Sequence, residues 1–509
     1  MKHKKRSFFA RSLDRVEIIG NALPHPATIF ALLAFVVVIV SAISAALGLT
    51  AVHPGTGETV EVRSLFTGEG IRWMFENVEH NFVKFPPLGL VLVAMIGIGI
   101  AEGSGLITVL IRALVLKAPK RLITMAIVAA GVLSHLASEA GYVVLIPLGA
   151  VIFLALGRHP MAGLAAAFAG VSGGFAANIL IGSVDPVLAG LTQSAAQIID
   201  PEMTINPAVN VYFMWASAVM VIIIGTLVTE KIVEPRLGTY SGTEKPVEME
   251  RLQADEKKGI LWAAISVVVV SGLFLLAVVP ENGLLRHPGE SALDSAFFNG
   301  MITAIMIFFL VPGMVYGYIT GSIRNDKEGV KQMINSMSHL ATYIVLVFFA
   351  AQFVYYFGYS NLGLIIAIDG AEFLRNIGFT GIPLMLAFIL VSAFINMFMG
   401  SASAKWAIMA PVFVPMFMLL GYHPALTQMV FRIGDSLTNV ITPMMSYFAL
   451  IVAFAEKYDE DYGIGTIIST MLPYSVVLGV FWALLLILWM TLGLPVGPEA
   501  PLHYVPVQP

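Results

Sequence analysis

The chain has 509 residues, 58% hydrophobic and only 12% charged, with a mean hydropathy of +0.86, whereas a soluble chain carries about 25% charge. A spanning helix takes about 20 apolar residues, and more than ten such stretches fit here, so the class is an all-α polytopic membrane protein, and secretion, peripheral attachment and nucleic-acid binding drop out. The absence of cysteine excludes disulfides, thiolate catalysis and cysteine metal sites, and the net charge of −4 is uninformative because the placement of Lys and Arg, not their sum, reports topology.

In chain order, a basic segment (1–26) precedes the first apolar run, Ala27 to Leu49. At 23 residues this run is a span rather than a signal-peptide core, which has about 7–15. Clean runs follow at Leu88 to Leu110, Val211 to Val228, Ile260 to Val279, Phe297 to Ile319, Ala341 to Phe357 and Ile467 to Leu492. Small and polar residues interrupt 121–199 and 382–455, in SHLASEAGY, GVSGGFAANILIGSVDP, NMFMGSASAKW and GDSLTNVITP. Each interrupted interval predicts a re-entrant hairpin, about 121–157 and 382–421, followed by a broken spanning helix.

An offset of 264 superimposes LGRHP, ending at Pro160, on LGYHP, ending at Pro424. The same offset carries Tyr142 to Trp406, Pro147 to Pro411, Gly170 to Gly434 and Ser172 to Ser436. The chain therefore divides into a first repeat (27–233), a cytoplasmic loop with a connecting helix (234–290), a second repeat (291–492) and a periplasmic tail (493–509). Nine transmembrane helices plus two re-entrant hairpins result. This arrangement puts 21 of the 28 Lys and Arg residues on the cytoplasmic side and five on the other, with Lys405 and Arg432 at membrane depth, as the positive-inside rule requires. Five spans separate equivalent segments. The number is odd, so the repeats are inverted, which is the architecture of secondary transporters with discontinuous helices at the midplane.

Irregular backbone at membrane depth is tolerated only where it lines a cavity or is buried in protein, so each break is a candidate site. The first hairpin tip holds Ser134, Ser138 and Glu139, and the broken helix after it holds Ser172, Asn178, Ser183 and Asp185. The second tip offers Asn396, Ser401, Ser403, Lys405 and Trp406, and its broken helix offers Arg432, Asp435, Ser436, Thr438, Asn439 and Pro443. An ionisable residue at helix centre costs about 2.5–3.5 kcal/mol, so Glu139, Asp185, Lys405, Arg432 and Asp435 need partners or bound ions. Arg432 and Asp435, three apart on one helix face, read equally as a structural ion pair or as a substrate-anchoring arginine beside an acidic site. Asp185 has no basic residue within one turn; with Asn178 it makes an oxygen-rich setting for Na⁺, against the plainer reading of a helix-capping aspartate. Trp406 suits stacking on a planar substrate, or a lipid interface. Lys405 can simply snorkel, and Glu102 in GIGIAEGSGL has no assigned role.

Two decoys remain. GVSGG at 170–174 matches the nucleophile-elbow pattern G-x-S-x-G and raises an intramembrane serine hydrolase using Ser172, although small residues in membrane helices more often mark close packing. His135 and Glu139, four apart, share a helix face and want a third metal ligand that the sequence does not supply.

The stretches NMFMGSASAKWAIMAPVFVPMFMLLGYHPALTQMVFRIGDSLTNVITPMMSY, SHLASEAGYVVLIPL and AANILIGSVDPVLAG resemble the p-aminobenzoyl-glutamate transporter (AbgT) family, and the resemblance runs essentially end to end. It implies a homodimer in a bacterial inner membrane, in contact with lipid, each protomer with nine transmembrane helices and two hairpins around a solvent-filled basin. It also implies coupling to Na⁺ or to protons, and a small aromatic anionic substrate: folate catabolites such as p-aminobenzoyl-glutamate, or sulfonamide antimetabolites. By the same resemblance, Asp185, Ser403, Trp406, Pro424, Arg432, Asp435 and Pro443 match positions used for transport, and Asn178, Asp185, Asn396 and Asp435 match the cation site. Direction, uptake or efflux, stays open.

Overall fold

The computed structural model describes residues 24–52, 57–116, 118–135, 141–242, 244, 252–286, 295–445 and 447–504. Leaving aside the shortest helical turns, the first repeat runs α1 (Pro26–Ala46), α2 (Gly68–Val83), α3 (Pro86–Gly103), α4 (Leu106–Leu116), α5 (Ile123–Ser134), α6 (Ile146–Ala155), α7 (Pro160–Gly173), α8 (Val184–Ala196) and α9 (Val211–Val228). A two-stranded hairpin, Thr50–Val52 with Thr59–Glu61, lies between α1 and α2. Then come α10 (Ala254–Val278) and a second series: α11 (Met301–Thr320), α12 (Asp326–His339), α13 (Ala341–Tyr359), α14 (Leu362–Asn376), α15 (Gly381–Asn396), α16 (Ala402–Leu419), α17 (Pro424–Asn439), α18 (Phe448–Glu456) and α19 (Ile464–Thr491). The second series repeats the first helix for helix.

Among the described residues, eight helices are long and apolar enough to cross a membrane. Seven of them fall on seven of the nine expected spans, and the eighth is α16, expected as the returning leg of the second hairpin. The two interrupted spans come in pieces. The first is α7, a short 3₁₀ turn at Gly174–Ala176, irregular backbone to 183, and α8; the second is α17, a turn-rich stretch described at 440–445 and 447, and α18. The run Leu88 to Leu110 is not one straight helix: it breaks at Ser104 and Gly105, where Gly105 takes φ +87°, a conformation that favours glycine.

The repeats exchange their first long helices: α1 packs along α13 and α11 packs along α3. The repeated sequence motifs acquire a physical meaning. In LGRHP and LGYHP the histidines are N-caps, His159 Nδ1 accepting from Met161 N and His423 Nδ1 from Ala425 N at 3.2 Å each. The prolines sit at the first helical position, where no N–H is needed. Gly170 and Gly434 let each broken helix close on the first leg of its hairpin. A Cβ at Gly170 would lie 2.5 Å from Val128 O, and one at Gly434 2.5 Å from Ile389 O. GVSGG is likewise a packing motif, since a Cβ on Gly174 would stand 3.0 Å from Val132 O.

The segments after α9 and α19 fold back over these turns. Tyr240 stacks edge-on against His159 and donates to Tyr458 O at 3.1 Å. Tyr504, 264 residues later, donates its backbone N–H to Gly421 O and its hydroxyl to Asp200 Oδ2 at 3.1 Å. Burial, helped by that carboxylate, pushes the Tyr504 hydroxyl up to about 12, so it remains a donor.

The two glycines generate a prediction. Gly170→Ala and Gly434→Ala should each destabilise the detergent-solubilised protein by about 1–3 kcal/mol through overpacking against backbone, read as a lowered Tm, whereas Gly272→Ala, whose Cβ meets nothing within 4 Å, should leave Tm unchanged or raise it.

Candidate functional site

The two breaks meet through α17, which packs against the first break and carries Arg432 to Asp185. Arg432 and Asp435 lie on this fully buried helix but do not pair with each other. Arg432 Nη1 pairs with Asp185 Oδ1 at 2.5 Å, across 247 residues, while its Nε and Nη2 donate to Phe175 O at 2.9 and 2.5 Å. Phe175 belongs to the 3₁₀ turn that ends the first half-helix, so the guanidinium both neutralises Asp185 and satisfies a carbonyl left open by the break. Its fork is engaged on both edges. Asp185 stands in the first turn of α8 but is not its N-cap, which is Ser183; its Oδ2 accepts from Gly182 N at 2.6 Å and so ties the irregular backbone before the helix to that turn. The spacing rule left this carboxylate without a basic partner, and the fold supplies one in Arg432 from the other repeat.

Asp435 finds its cation in Lys405, which is 1% exposed and does not snorkel. The Lys405 ammonium donates to Asp435 Oδ1 and to Asn396 Oδ1. Asn396 Nδ2 in turn faces Asp435 O, Thr438 Oγ1 and Asn439 Oδ1 at 2.8–3.0 Å, and Asn439 Nδ2 donates to Asp435 Oδ2 at 2.9 Å. An internal ammonium thus stands between two of the four oxygen-bearing side chains expected to meet a coupling cation. Asn178 is different: it is 2% exposed and its Oδ1 has no hydrogen-bond partner among the described residues.

Trp406 is buried on all sides, so it neither faces lipid nor presents an open ring. It stacks on Phe431 with centroids 4.5 Å apart and donates Nε1 to Thr192 Oγ1 at 2.8 Å. Thr192 donates to Gln428 Oε1, Gln428 to Asn210 Oδ1, and Asn210 to Ala425 O, at 2.5–2.8 Å. Sequence reasoning missed this chain. Its only signal was a polar residue on each of several otherwise apolar helices, and Gln428 stands one turn before Arg432.

Two cavities open at the breaks. One, of about 240 Å³, lies between the N-termini of α8 and α16 and is lined by Ser183, Ser403, Tyr343, Val91 and Met95 among others; helix N-termini favour negative charge. The other, of about 220 Å³, is lined by Pro443, Phe448, Val452 and Glu456. Pro424 lies outside both, at the start of α17. Ser138 and Glu139 of the first hairpin tip lie outside the described residues, and Glu102 is half-buried in the last turn of α3. Ser172 is fully buried with Tyr142 OH at 3.3 Å, while His135 Nε2 is engaged by Val171 O. No serine–histidine pair for hydrolysis forms among the described residues, and no cluster of three metal-ligating side chains does.

Removing one member of a buried pair strands the other charge, at about 3–5 kcal/mol. Lys405→Met and Asp435→Asn should each lower Tm sharply, and the double variant should recover most of the loss. Arg432→Met with Asp185→Asn should recover less, because Phe175 O stays unsatisfied. Thermal unfolding of the six variants and parent in detergent checks both cycles.

Comparison with known proteins gives the family of the chain. Residues 11–504 match the AbgT putative transporter family. The p-aminobenzoyl-glutamate transport protein of Escherichia coli (strain K12) is 40% identical over 484 residues, 95% of each chain. The crystal structure of the YdaH transporter of Alcanivorax borkumensis, described as having an unusual topology, is 43% identical with a TM-score of 0.87, over 93% of this chain and all of that one. MtrF of Neisseria gonorrhoeae, described with a class of antimetabolite efflux pumps, is 48% identical with a TM-score of 0.90, over 96% of this chain and all of that one. These relatives are transport proteins, not enzymes, and this multi-pass membrane chain belongs to the AbgT transporter family.

Proposed function

We propose that this protein is a secondary active transporter, working by alternating access, for p-aminobenzoyl-glutamate-type folate catabolites, sulfonamide antimetabolites or both. The observation that carries the mechanism is an inequality between equivalent elements. In the first repeat, α8 is packed against α16 and α3, with 11 of its 13 residues buried. Its counterpart α18 has three of nine residues buried and makes no comparable packing on α6 or α13. Inverted repeats held in unequal conformations supply alternating access when the inequality is exchanged, since the exchange closes one face and opens the other.

The substrate class rests on the names of the relatives and on the cavity between the N-termini of α8 and α16. Helix N-terminal N–H groups suit a carboxylate, and Ser403 can orient it. For coupling, Asn178, Asp185, Asn396 and Asp435 form the cation-responsive set, with Na⁺ or a proton as the coupling ion. The unpartnered Asn178 oxygen supports a cation there. Because Lys405 and Arg432 already neutralise the two carboxylates, an entering cation competes with an internal one rather than filling an empty charge. The protein acts as a homodimer in the bacterial inner membrane, as the family resemblance implies, with the N-terminus cytoplasmic and the C-terminus periplasmic, as the Lys and Arg distribution supports.

Proteoliposomes given imposed Na⁺ or pH gradients should move labelled p-aminobenzoyl-glutamate or a sulfonamide against its gradient, with collapse of the driving gradient abolishing accumulation. Gradient-independent equilibration would overturn the coupled mechanism. Separately, a C-terminal alkaline phosphatase fusion should be active and a fluorescent fusion that matures only in the cytoplasm should be dark. The reverse pattern would break the inverted topology.

A further inference from the structure

A third cavity, of about 300 Å³, lies away from the two breaks. Its walls come from α2, the last turns of α8, and the α13–α14 junction, with Trp73, Tyr355 and Tyr359 as aromatic faces and Ser194, Gln197 and Asn361 as polar groups. The junction is a tight turn at the end of the bundle, where Asn361 takes φ +60°. Trp73 stacks on Tyr359 with centroids 4.0 Å apart and planes 18° from parallel, so the aromatic wall is pre-assembled. Gln197 spends one amide N–H on Met203 O and Asn361 one on Glu61 O, and each amide keeps a carbonyl oxygen for the cavity.

Charge adds direction. None of the ten lining residues is acidic or basic, but the Arg63 guanidinium carbon lies 6.0 Å from the Tyr359 ring centroid, and Arg63 N donates to Ser360 O at 3.0 Å, which holds the cation at this rim. Aromatic walls, amide hydrogen-bonding groups and a rim cation are complementary to a planar aromatic amide bearing a carboxylate. One rigid helix links this cavity to the central site. α8 carries Asp185 in its first turn and Ser194 nine residues on, about 14 Å along the axis.

We propose that this cavity is a vestibular subsite, occupied by the transported molecule on its way to or from the central cavity. The inference rests on the substrate class given above. It assigns Trp73, Tyr359 and Arg63 to substrate capture rather than to coupling.

The test pairs equilibrium binding of labelled p-aminobenzoyl-glutamate to the purified full chain with initial rates in proteoliposomes. Trp73→Ala should raise the apparent KM about fivefold, as the loss of one stacking contact does, and leave the maximal rate within twofold, with Trp73→Phe restoring most of the affinity. Arg63→Gln, at an exposed side chain that folding does not need, should raise KM for p-aminobenzoyl-glutamate and leave uncharged p-aminobenzamide unaffected. Parent protein should bind more than one ligand per chain, and Trp73→Ala should lose the added site. If the parent transports while both Trp73→Ala and Arg63→Gln leave binding and KM unchanged, the subsite is overturned. A Trp73→Ala chain that fails to fold leaves Arg63→Gln to decide alone. A parent that neither binds nor transports p-aminobenzoyl-glutamate or a sulfonamide overturns the substrate class instead.

Discussion

Among the described residues, four charges are removed from solvent, those of Asp185, Lys405, Arg432 and Asp435, and the rest of the centre depends on how they are paired. An unpaired buried charge costs several kcal/mol, and a broken helix adds open carbonyl and amide groups that the interior cannot leave unsatisfied. Arg432 answers both demands at once: it neutralises Asp185 and bridges to Phe175 O. The first break can exist at membrane depth because a side chain of the other repeat completes it. The second break is completed from its own hairpin, where Lys405 and Asn396 meet Asp435, Thr438 and Asn439.

Around this centre the repeats are interlocked rather than placed side by side. The exchange of α1 onto α13 and α11 onto α3 gives a frame in which each repeat holds a helix of the other. Glycines 170 and 434 bring each broken helix into backbone contact with its hairpin, which makes hairpin and half-helix one packed unit. Against that frame the difference between α8 and α18 stands out. The same element is buried at 11 of 13 residues in one repeat and at three of nine in the other, so the two repeats share an order of elements and differ in how this element is packed.

The centre also shows why polar residues on apolar helices deserve separate accounting. The Trp406, Thr192, Gln428 and Asn210 chain runs between helices of both repeats. Each link satisfies a group that would otherwise be buried without a partner. Trp406 is held by this chain and by Phe431, so an effect of its substitution on transport would act through the shape of the centre as well as through any contact with substrate.

Composition and pattern alone determined the membrane class, most of the long spans, the 264-residue repeat and the positions of both breaks. Those features are local: apolar length sets a span, and small or polar residues interrupt it, wherever the chain goes next. The LGRHP and LGYHP turns were visible as a repeat for the same reason, since a histidine N-cap followed by proline is a local device. The partners were decided only in three dimensions. Spacing rules compare residues three or four apart, so they set Arg432 beside Asp435 and left Asp185 alone, whereas the fold turns Arg432 to Asp185 and gives Asp435 to Lys405. The burial of Trp406, the capping of Phe175 and the unequal packing of α8 and α18 are likewise tertiary, because each depends on which surface another helix brings to that point, and no periodicity within one segment carries that information.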